Sequence, residues 1–322
     1  HLSSDSWPIY ISLQKDGILI KMRLTQDIPD KKSATMFFQD CKLAHQAQIT
    51  GIRHSIKEIL PPDLLDLTQL QKEANIRYGF TASEVYDIAQ SLYEKKLISY
   101  PRTSSRYLTE DVFDSLPPIM ARLLSWELFP AAKGTASIDI SSLFRHVINA
   151  EKANVHHAII ITGIRPGNLP EKEMLVYRLV AGRMLEAFMP PCRIETTDIE
   201  AICAAQHFKA EQTRIIEAGW HDVFMNSDII PKSGYSVNEL PEVEKGDTLN
   251  VCGRNLVHKK QLPVNPFTDA ELVEYMELNG LGTVSSRTNI IRPLVTRKYI
   301  RYSGKDFVQS PKGSFRYETI GG

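Results

Sequence analysis

The chain opens on strand-like patterning. Ile9-Tyr10-Ile11-Ser12-Leu13 and the run from Ile18 to Leu24 flank Lys15-Asp16-Gly17, a hairpin turn signal. After a polar stretch near Pro29 to Lys32, apolar and polar residues partly alternate from Ala47 to Leu60. That run stops at Pro61-Pro62, which reads as a domain edge. The period then becomes helical. Thr81-Ala82-Ser83-Glu84 fits a capping box, and Val85, Ile88, Ala89 and Leu92 follow at i, i+3, i+4 and i+7. Leu97 to Tyr100 is a short β-like run ending at Pro101. A long helix is predicted from Glu171 to Phe188, closed by Met189-Pro190-Pro191, and strand patterns return at Glu195 to Ala204, Phe208 to Glu217 and around Thr248 to Val251. A second capping box, Thr268-Asp269-Ala270-Glu271, opens a helix with Leu272, Tyr275 and Met276 as its apolar stripe and Gly280 as its C-cap. The next helix passes Ile290, Ile291 and Leu294, and its Pro293 should kink or shorten it. Tyr299 to Tyr302 and Phe307 to Gln309, around Ser303-Gly304-Lys305-Asp306, read as a hairpin. Helix, helix, hairpin is a winged-helix-like order.

Composition narrows the class. The 322 residues suffice for two domains of ordinary size or three small ones, and 43% apolar with 24% charged residues is a globular composition. No apolar run approaches the roughly 18–20 residues that cross a bilayer, and no signal-peptide pattern opens the chain. Cys41, Cys192, Cys203 and Cys252 lie far apart without a C-x-x-C pair. That argues against a zinc site or disulfide framework and for reduced, buried thiols in a cytosolic setting. The 38 Lys plus Arg balance 38 Asp plus Glu, which taken alone argues against a nucleic-acid binder. The start at His1 and the final Gly-Gly read as an excised piece of something longer. Gly280-Leu281-Gly282 lacks the preceding strand and third glycine of a dinucleotide loop, and no P-loop, H-E-x-x-H or G-x-S-x-G motif occurs. The reaction therefore needs neither nucleotide hydrolysis nor a helix-borne zinc.

The informative segment is Leu97-Ile98-Ser99-Tyr100-Pro101-Arg102-Thr103-Ser104-Ser105-Arg106-Tyr107-Leu108. Tyr100 precedes a proline and is biased to an extended backbone, where Tyr100 and Arg102 at i, i+2 share a face. A phenol beside a guanidinium, followed by hydroxyls and a second arginine, suits a phosphate site. The phenol could attack phosphorus while Arg102 stabilises charge on the non-bridging oxygens. Turn chemistry alone also accounts for a Tyr-Pro-Arg sequence, so a structural tyrosine stays open on these residues.

Tyr-Pro-Arg-Thr-x-Ser-Arg-Tyr-Leu, shortly after Gln90-Ser91-Leu92-Tyr93-Glu94, resembles the active-site segment of type IA DNA topoisomerases, closest to the topoisomerase III branch. Four further blocks resemble that family in the right order: Leu67-Thr68-x-Leu70-Gln71-x-Glu73-Ala74-Asn75, His156-His157-Ala158-Ile159-Ile160, Phe188-Met189-Pro190-Pro191, and Gly280-x-Gly282-Thr283-x-x-x-Arg287 continuing to Tyr299-Ile300. The resemblance implies that Tyr100 is the nucleophile, holding the 5′ phosphate of a broken strand, with Arg102 supporting the transition state. His156 would contact phosphates near the break, with His157 beside it. Thr103 and Arg106 would join the DNA contacts, and Thr283, Ser285 and Arg287 would grip the single-stranded backbone. Such transesterification conserves the phosphodiester's free energy, in keeping with the missing ATP loop. Read without the resemblance, Arg287 would be a surface charge on a helix.

The chain departs from the family pattern at three places: Ser104 stands for its usual Asp, Ile161 for a Pro, and Val284-Ser285-Ser286 for Glu-Ala-Thr. The family's magnesium-binding Toprim domain, with its D-x-D carboxylates, has no counterpart here, since Asp63 and Asp66 lack that spacing. Magnesium would therefore belong to the full-length enzyme through that domain, with none bound by this chain, which alone would not cleave and religate DNA efficiently.

The expected fold is multidomain α+β. Residues 1–62 and 195–262 would form a discontinuous β-rich arch domain, 63–194 an inserted helical domain carrying Tyr100, and 263–322 a C-terminal helical, winged-helix-like domain. The expected substrate is single-stranded or negatively supercoiled DNA. The expected protein is a monomer in the cytoplasm, associated with the nucleoid if bacterial, and without a membrane partner. A non-catalytic single-stranded-DNA-binding or assembly module, and another tyrosine-based strand-transfer enzyme, are the alternatives.

Overall fold

The computed structural model describes residues 5–28, 30–126, 128–129, 145–153, 156–224, 240–259, 267–304 and 306–314. Pro29, Lys305, the start of the expected C-terminal domain at 263–266 and the final Gly-Gly lie outside the described residues. The chain forms an α+β fold of two compact units.

The first unit comprises the described parts of 1–59, 192–218 and 240–264. Its strands are β1 (Ile9–Lys15), β2 (Ile18–Leu24), β3 (Gln46–Ile59), β4 (Cys192–Cys203), β5 (Gln206–Glu217) and β6 (Thr248–Leu256). They close into an antiparallel barrel in the order β1-β2-β5-β4-β3-β6. Period-two patterning fills it: Ile9, Ile11 and Leu13, then Ile20, Met22 and Leu24, share one core with Ile49, Ala201, Phe208 and Val251. The Asp16-Gly17 turn, both residues at positive φ (51° and 80°), joins β1 to β2 as their sequence predicts. The polar stretch after Pro29 becomes a helix that the strand reading did not anticipate, α1 (Lys31–Leu43). Asp30 caps it by accepting from Ser33 N–H at 2.8 Å, and Ala34 and Cys41 join the barrel core. Cys41, Cys192 and Cys203 are buried as expected, but Cys252 is exposed. On β6 it follows buried Leu249 and Val251 at the alternate position shared with exposed Thr248 and Asn250, so the two-residue period turns it to solvent.

The second unit holds the described parts of 60–191, 219–225 and 265–322. Its helices are α2 (Leu67–Tyr78), α3 (Ala82–Glu94), α4 (Glu110–Asp114), α5 (Leu116–Ser125), α6 (Ala150–Ala153), α7 (Glu171–Phe188), α8 (Asp269–Leu278) and α9 (Arg287–Thr296), and β7 (Ile300–Ser303) pairs with β8 (Asp306–Gln309). Both predicted capping boxes form, at Thr81/Glu84 and Thr268/Glu271. Helix α7 has the predicted bounds and is buried around nearly its whole circumference from Val176 onward. Helix α9 runs through Pro293 to Thr296 rather than stopping before it. The buried stripe of α8 is Ala270, Val273 and Met276, whereas Tyr275 is 46% exposed. Val273 and Met276 are chosen because they pack with Ala82, Ile291 and Phe307 in one apolar cluster. That cluster, with the Lys72–Glu274 ion pair at 2.6 Å, ties the C-terminal segment to α2 and α3 within this unit. Among the described residues no helix is long and apolar enough to cross a membrane.

Candidate active site around Tyr100

Helix α3 sets up the segment that follows it. Its C-terminus closes with Lys96 N–H donating to Tyr93 O at 2.8 Å and Leu97 N–H to Leu92 O at 2.9 Å, and Lys96 takes the left-handed φ of 60° that such a closure requires. The chain thereby turns back along α3. Of the predicted β-like run, only Ile98 forms a bridge, to Ile161, and the chain beyond Tyr100 is irregular. It is nonetheless tightly held. Ser99 N–H donates to Ile160 O (2.8 Å), Ser99 Oγ accepts from Ile160 N–H (3.0 Å), Leu67 N–H donates to Thr103 O (3.1 Å) and Ala158 N–H to Tyr107 O (2.9 Å). Each pins a backbone polar group that strand pairing would otherwise satisfy.

Tyr100 is half-buried, its ring 4.5 Å from that of His156 and 5.4 Å, edge-on, from that of Tyr93. Arg102 Nη2 donates to Gln90 Oε1 at 3.1 Å, and the guanidinium lies 5.2 Å over the Tyr86 ring. Tyr86, Gln90 and Tyr93 are spaced i, i+4 and i+7, so Tyr100 and Arg102 both lie along one stripe of α3, away from buried Val85, Ala89 and Leu92. That stripe was readable from helical period, although the sequence reading used only its apolar counterpart.

The neighbouring predicted residues divide by environment. His156 is exposed, and its carbonyl accepts from Thr103 Oγ1 at 3.0 Å. Buried Thr103 thus fixes the histidine backbone and also accepts from Ser105 N–H at 3.0 Å. His157 is half-buried, with Nδ1 2.7 Å from Ala158 O. Arg106 Nε donates to Asp66 Oδ2 at 2.6 Å, while Asp66 Oδ1 caps α2 through Gln69 N–H at 2.7 Å. Burial pushes the Asp66 carboxyl up, against the pull of those two hydrogen bonds.

Thr283, Ser285 and Arg287 come together at the start of α9. Thr283 is exposed, its Oγ1 3.3 Å from Ser285 Oγ and 3.0 Å from Ser286 Oγ. Arg287 is neither a surface charge nor directed to solvent: it is 7% exposed, donating from Nη1 to Thr68 Oγ1 at 3.2 Å and lying 3.4 Å from Glu277 Oε1. The first turn of α2 therefore receives Arg106 at Asp66 and Arg287 at Thr68. Asp66 and Glu277, which join the two predicted segments, were missed. Only the N-cap position of Asp66 before an apolar run could have flagged it.

Asp63, Asp66, Glu151 and Glu277 line a cavity of about 410 Å³ with Arg106, Tyr107 and Lys152. These carboxylates do not fit a magnesium centre. Asp66 is committed to Arg106 and to its helix cap, and no group of three or more candidate ligands is arranged for a metal among the described residues.

The DNA topoisomerase family model matches residues 2–320. DNA topoisomerase 3 of Bacillus licheniformis is 32% identical over 298 residues, 85% of this chain and 41% of that protein. DNA topoisomerase 3 of Bacillus subtilis is 31% identical over 293 residues, 83% of this chain and 40% of that protein. The chain thus spans about two fifths of the length of these relatives. A structure of full-length topoisomerase I from Thermotoga maritima superposes with a TM-score of 0.72 at 20% identity, covering 99% of this chain and 52% of that one. A family match over almost the whole length, the ordered blocks around Tyr100 and a shared fold agree: the chain belongs to the type IA DNA topoisomerase family.

Proposed function

We propose that this chain forms the strand-cleaving and strand-holding part of a topoisomerase 3-like enzyme acting on single-stranded or negatively supercoiled DNA. The supporting observation is the packing of Tyr100 against His156 and Tyr93, with Arg102 laid along the same stripe of α3. In the reaction, the Tyr100 phenol oxygen bonds to phosphorus and loses its proton. The bond to the 3′ oxygen breaks, leaving a 3′ hydroxyl and a 5′ phosphate held on the tyrosine. Attack by that hydroxyl reverses the step after another strand has passed, so one phosphodiester replaces another and no ATP is consumed.

Arg102 would stabilise charge on the non-bridging oxygens, and exposed His156 would contact a neighbouring phosphate. His157 and Arg106 would extend that contact, with Thr103 acting mainly by holding the His156 backbone. Thr283 and Ser285 would face the strand upstream, while buried Arg287 would act by anchoring their loop to α2. On this reading the magnesium is held by the Toprim carboxylates of the full-length enzyme and not by this chain. The chain by itself would then bind strands without completing cleavage, and would work as a monomer in the nucleoid-bearing cytoplasm.

The test is relaxation of negatively supercoiled plasmid with magnesium by the protein in its complete natural sequence. Tyr100→Phe should abolish relaxation while leaving binding of single-stranded DNA within about threefold. Undiminished relaxation in that variant would remove the nucleophile assignment. Binding without relaxation in either form would favour a non-catalytic DNA-binding module.

A further inference from the structure

We infer that Gln90 is a positioning residue for Arg102 and that Glu94 sets the orientation in which Gln90 does so. The inference rests on the role of Arg102 proposed above. Three contacts define the arrangement. Arg102 Nη2 donates to Gln90 Oε1 at 3.1 Å, Gln90 Nε2 donates to Glu94 Oε1 at 2.8 Å, and the guanidinium Cζ lies over the Tyr86 ring, 5.2 Å from its centroid. An ionised carboxylate only accepts hydrogen bonds, so Glu94 selects the rotamer of Gln90 whose NH2 faces it and whose oxygen faces Arg102. Tyr86, Gln90 and Glu94 recur at four-residue spacing on α3, so all three project from one helical face.

The cation–π contact holds the guanidinium over the Tyr86 ring, and the Gln90 bond restrains its rotation. A neutral acceptor has a further consequence. A carboxylate at position 90 would form a charge-assisted pair with Arg102 and compete with a phosphate, whereas an amide oxygen orients the group and leaves its charge available. Arg102 Nε is buried and has no hydrogen-bond partner among the described residues. The Gln90 bond takes one of the five guanidinium N–H donors, which leaves others for the phosphate oxygens of a strand engaged at Tyr100.

Two measurements test this. The first needs no activity: rotation about the Nε–Cζ bond of Arg102, followed by 15N exchange in the arginine-labelled chain. Rotation should be slow in the wild type and in Gln90→Glu, and at least about fivefold faster in Gln90→Met, which keeps the length but removes the acceptor. Glu94→Gln, which cannot enforce one orientation of Gln90, should lie between. The second is the single-turnover cleavage rate of a single-stranded oligonucleotide at saturating concentration by the complete protein. Gln90→Met should lower that rate about tenfold with KM within twofold, and should cause no further loss in an Arg102→Ala background. Unchanged rotation in Gln90→Met, or an equal loss with and without Arg102, would overturn the inference. Restrained rotation in a protein that cleaves no DNA would instead count against the topoisomerase reading, leaving the positioning contact in place. If Gln90→Met fails to fold by thermal melting, the rotation arm on Glu94→Gln decides.

Discussion

In the last turns of α7, Arg183 and Glu186 are buried together. Arg183 Nε donates to Glu186 Oε2 at 2.8 Å, Nη1 reaches Asp63 O at 3.3 Å, and Nη2 pairs with Glu73, which also accepts from Arg77. Burial pushes the Glu186 carboxyl up to about 7 against the attraction of Arg183, and its Oε1 has no hydrogen-bond partner among the described residues. A folded-state value above the usual carboxylate range means that the fold favours the protonated form. The stability this group contributes is complete below about pH 4.5 and is lost as pH rises through about 7. Between pH 4.5 and 8 the loss should be about 3 kcal/mol, and Glu186→Gln should remove that part of the pH dependence. Urea midpoints of both proteins at pH 5 and pH 8 would check it; parallel curves would contradict the assignment. At this scale the sequence was uneven. The proline and arginine beside Tyr100 mark it locally as a candidate, whereas the burial of Arg287, expected to grip a strand, carries no local signal because its partners Thr68 and Glu277 are distant in sequence.

Elements with their own boundary chemistry were readable. The capping boxes of α3 and α8, the Asp16-Gly17 hairpin and the proline stop after α7 each carry a local signal. Helix α1 was missed because Pro29 and its polar neighbours read as a loop, although Ala34, Phe37, Phe38 and Cys41 follow a helical period. The β4–β5 connection was harder still. Cys203 pairs with Gln206 across Ala204 and Ala205, both left-handed at φ 50° and 58°, a turn that Asn-Gly would announce and Ala-Ala does not. Alanine in that conformation costs about 1 kcal/mol relative to residues that tolerate it. Replacing the pair by Ala204→Asn with Ala205→Gly should therefore raise stability by about 1–2 kcal/mol, read as a higher urea midpoint with an unchanged slope. A fall in the midpoint would show that the turn is held by contacts of the alanine side chains instead.

For the whole molecule, zero net charge looked like an argument against a DNA partner. Several of the charges are instead paired inside each unit. Arg106 meets Asp66, Arg287 meets Glu277, Arg292 meets Asp87, and Lys15 meets Asp247. Net charge therefore describes how the fold is stitched more than what it binds, and a local phosphate site can persist in a neutral total. Glu239, Glu242 and Glu244 also offset basic residues in the total, and Glu239 lies outside the described residues. The α+β class was legible because strand and helix periods differ, and the barrel's closure was not, since ladder pairing between β1 and β6 leaves no local mark.

The central claim is that Tyr100 becomes linked to the 5′ phosphate of a broken strand. It is tested most directly by incubating the complete protein with magnesium and a single-stranded oligonucleotide labelled at one end, then stopping in denaturant. The 3′-labelled strand should migrate with the protein, the 5′-labelled fragment should be released, and mass spectrometry should place the nucleotide on the peptide carrying Tyr100. Retention of the 5′ label, or an adduct on a peptide lacking Tyr100, would contradict the account.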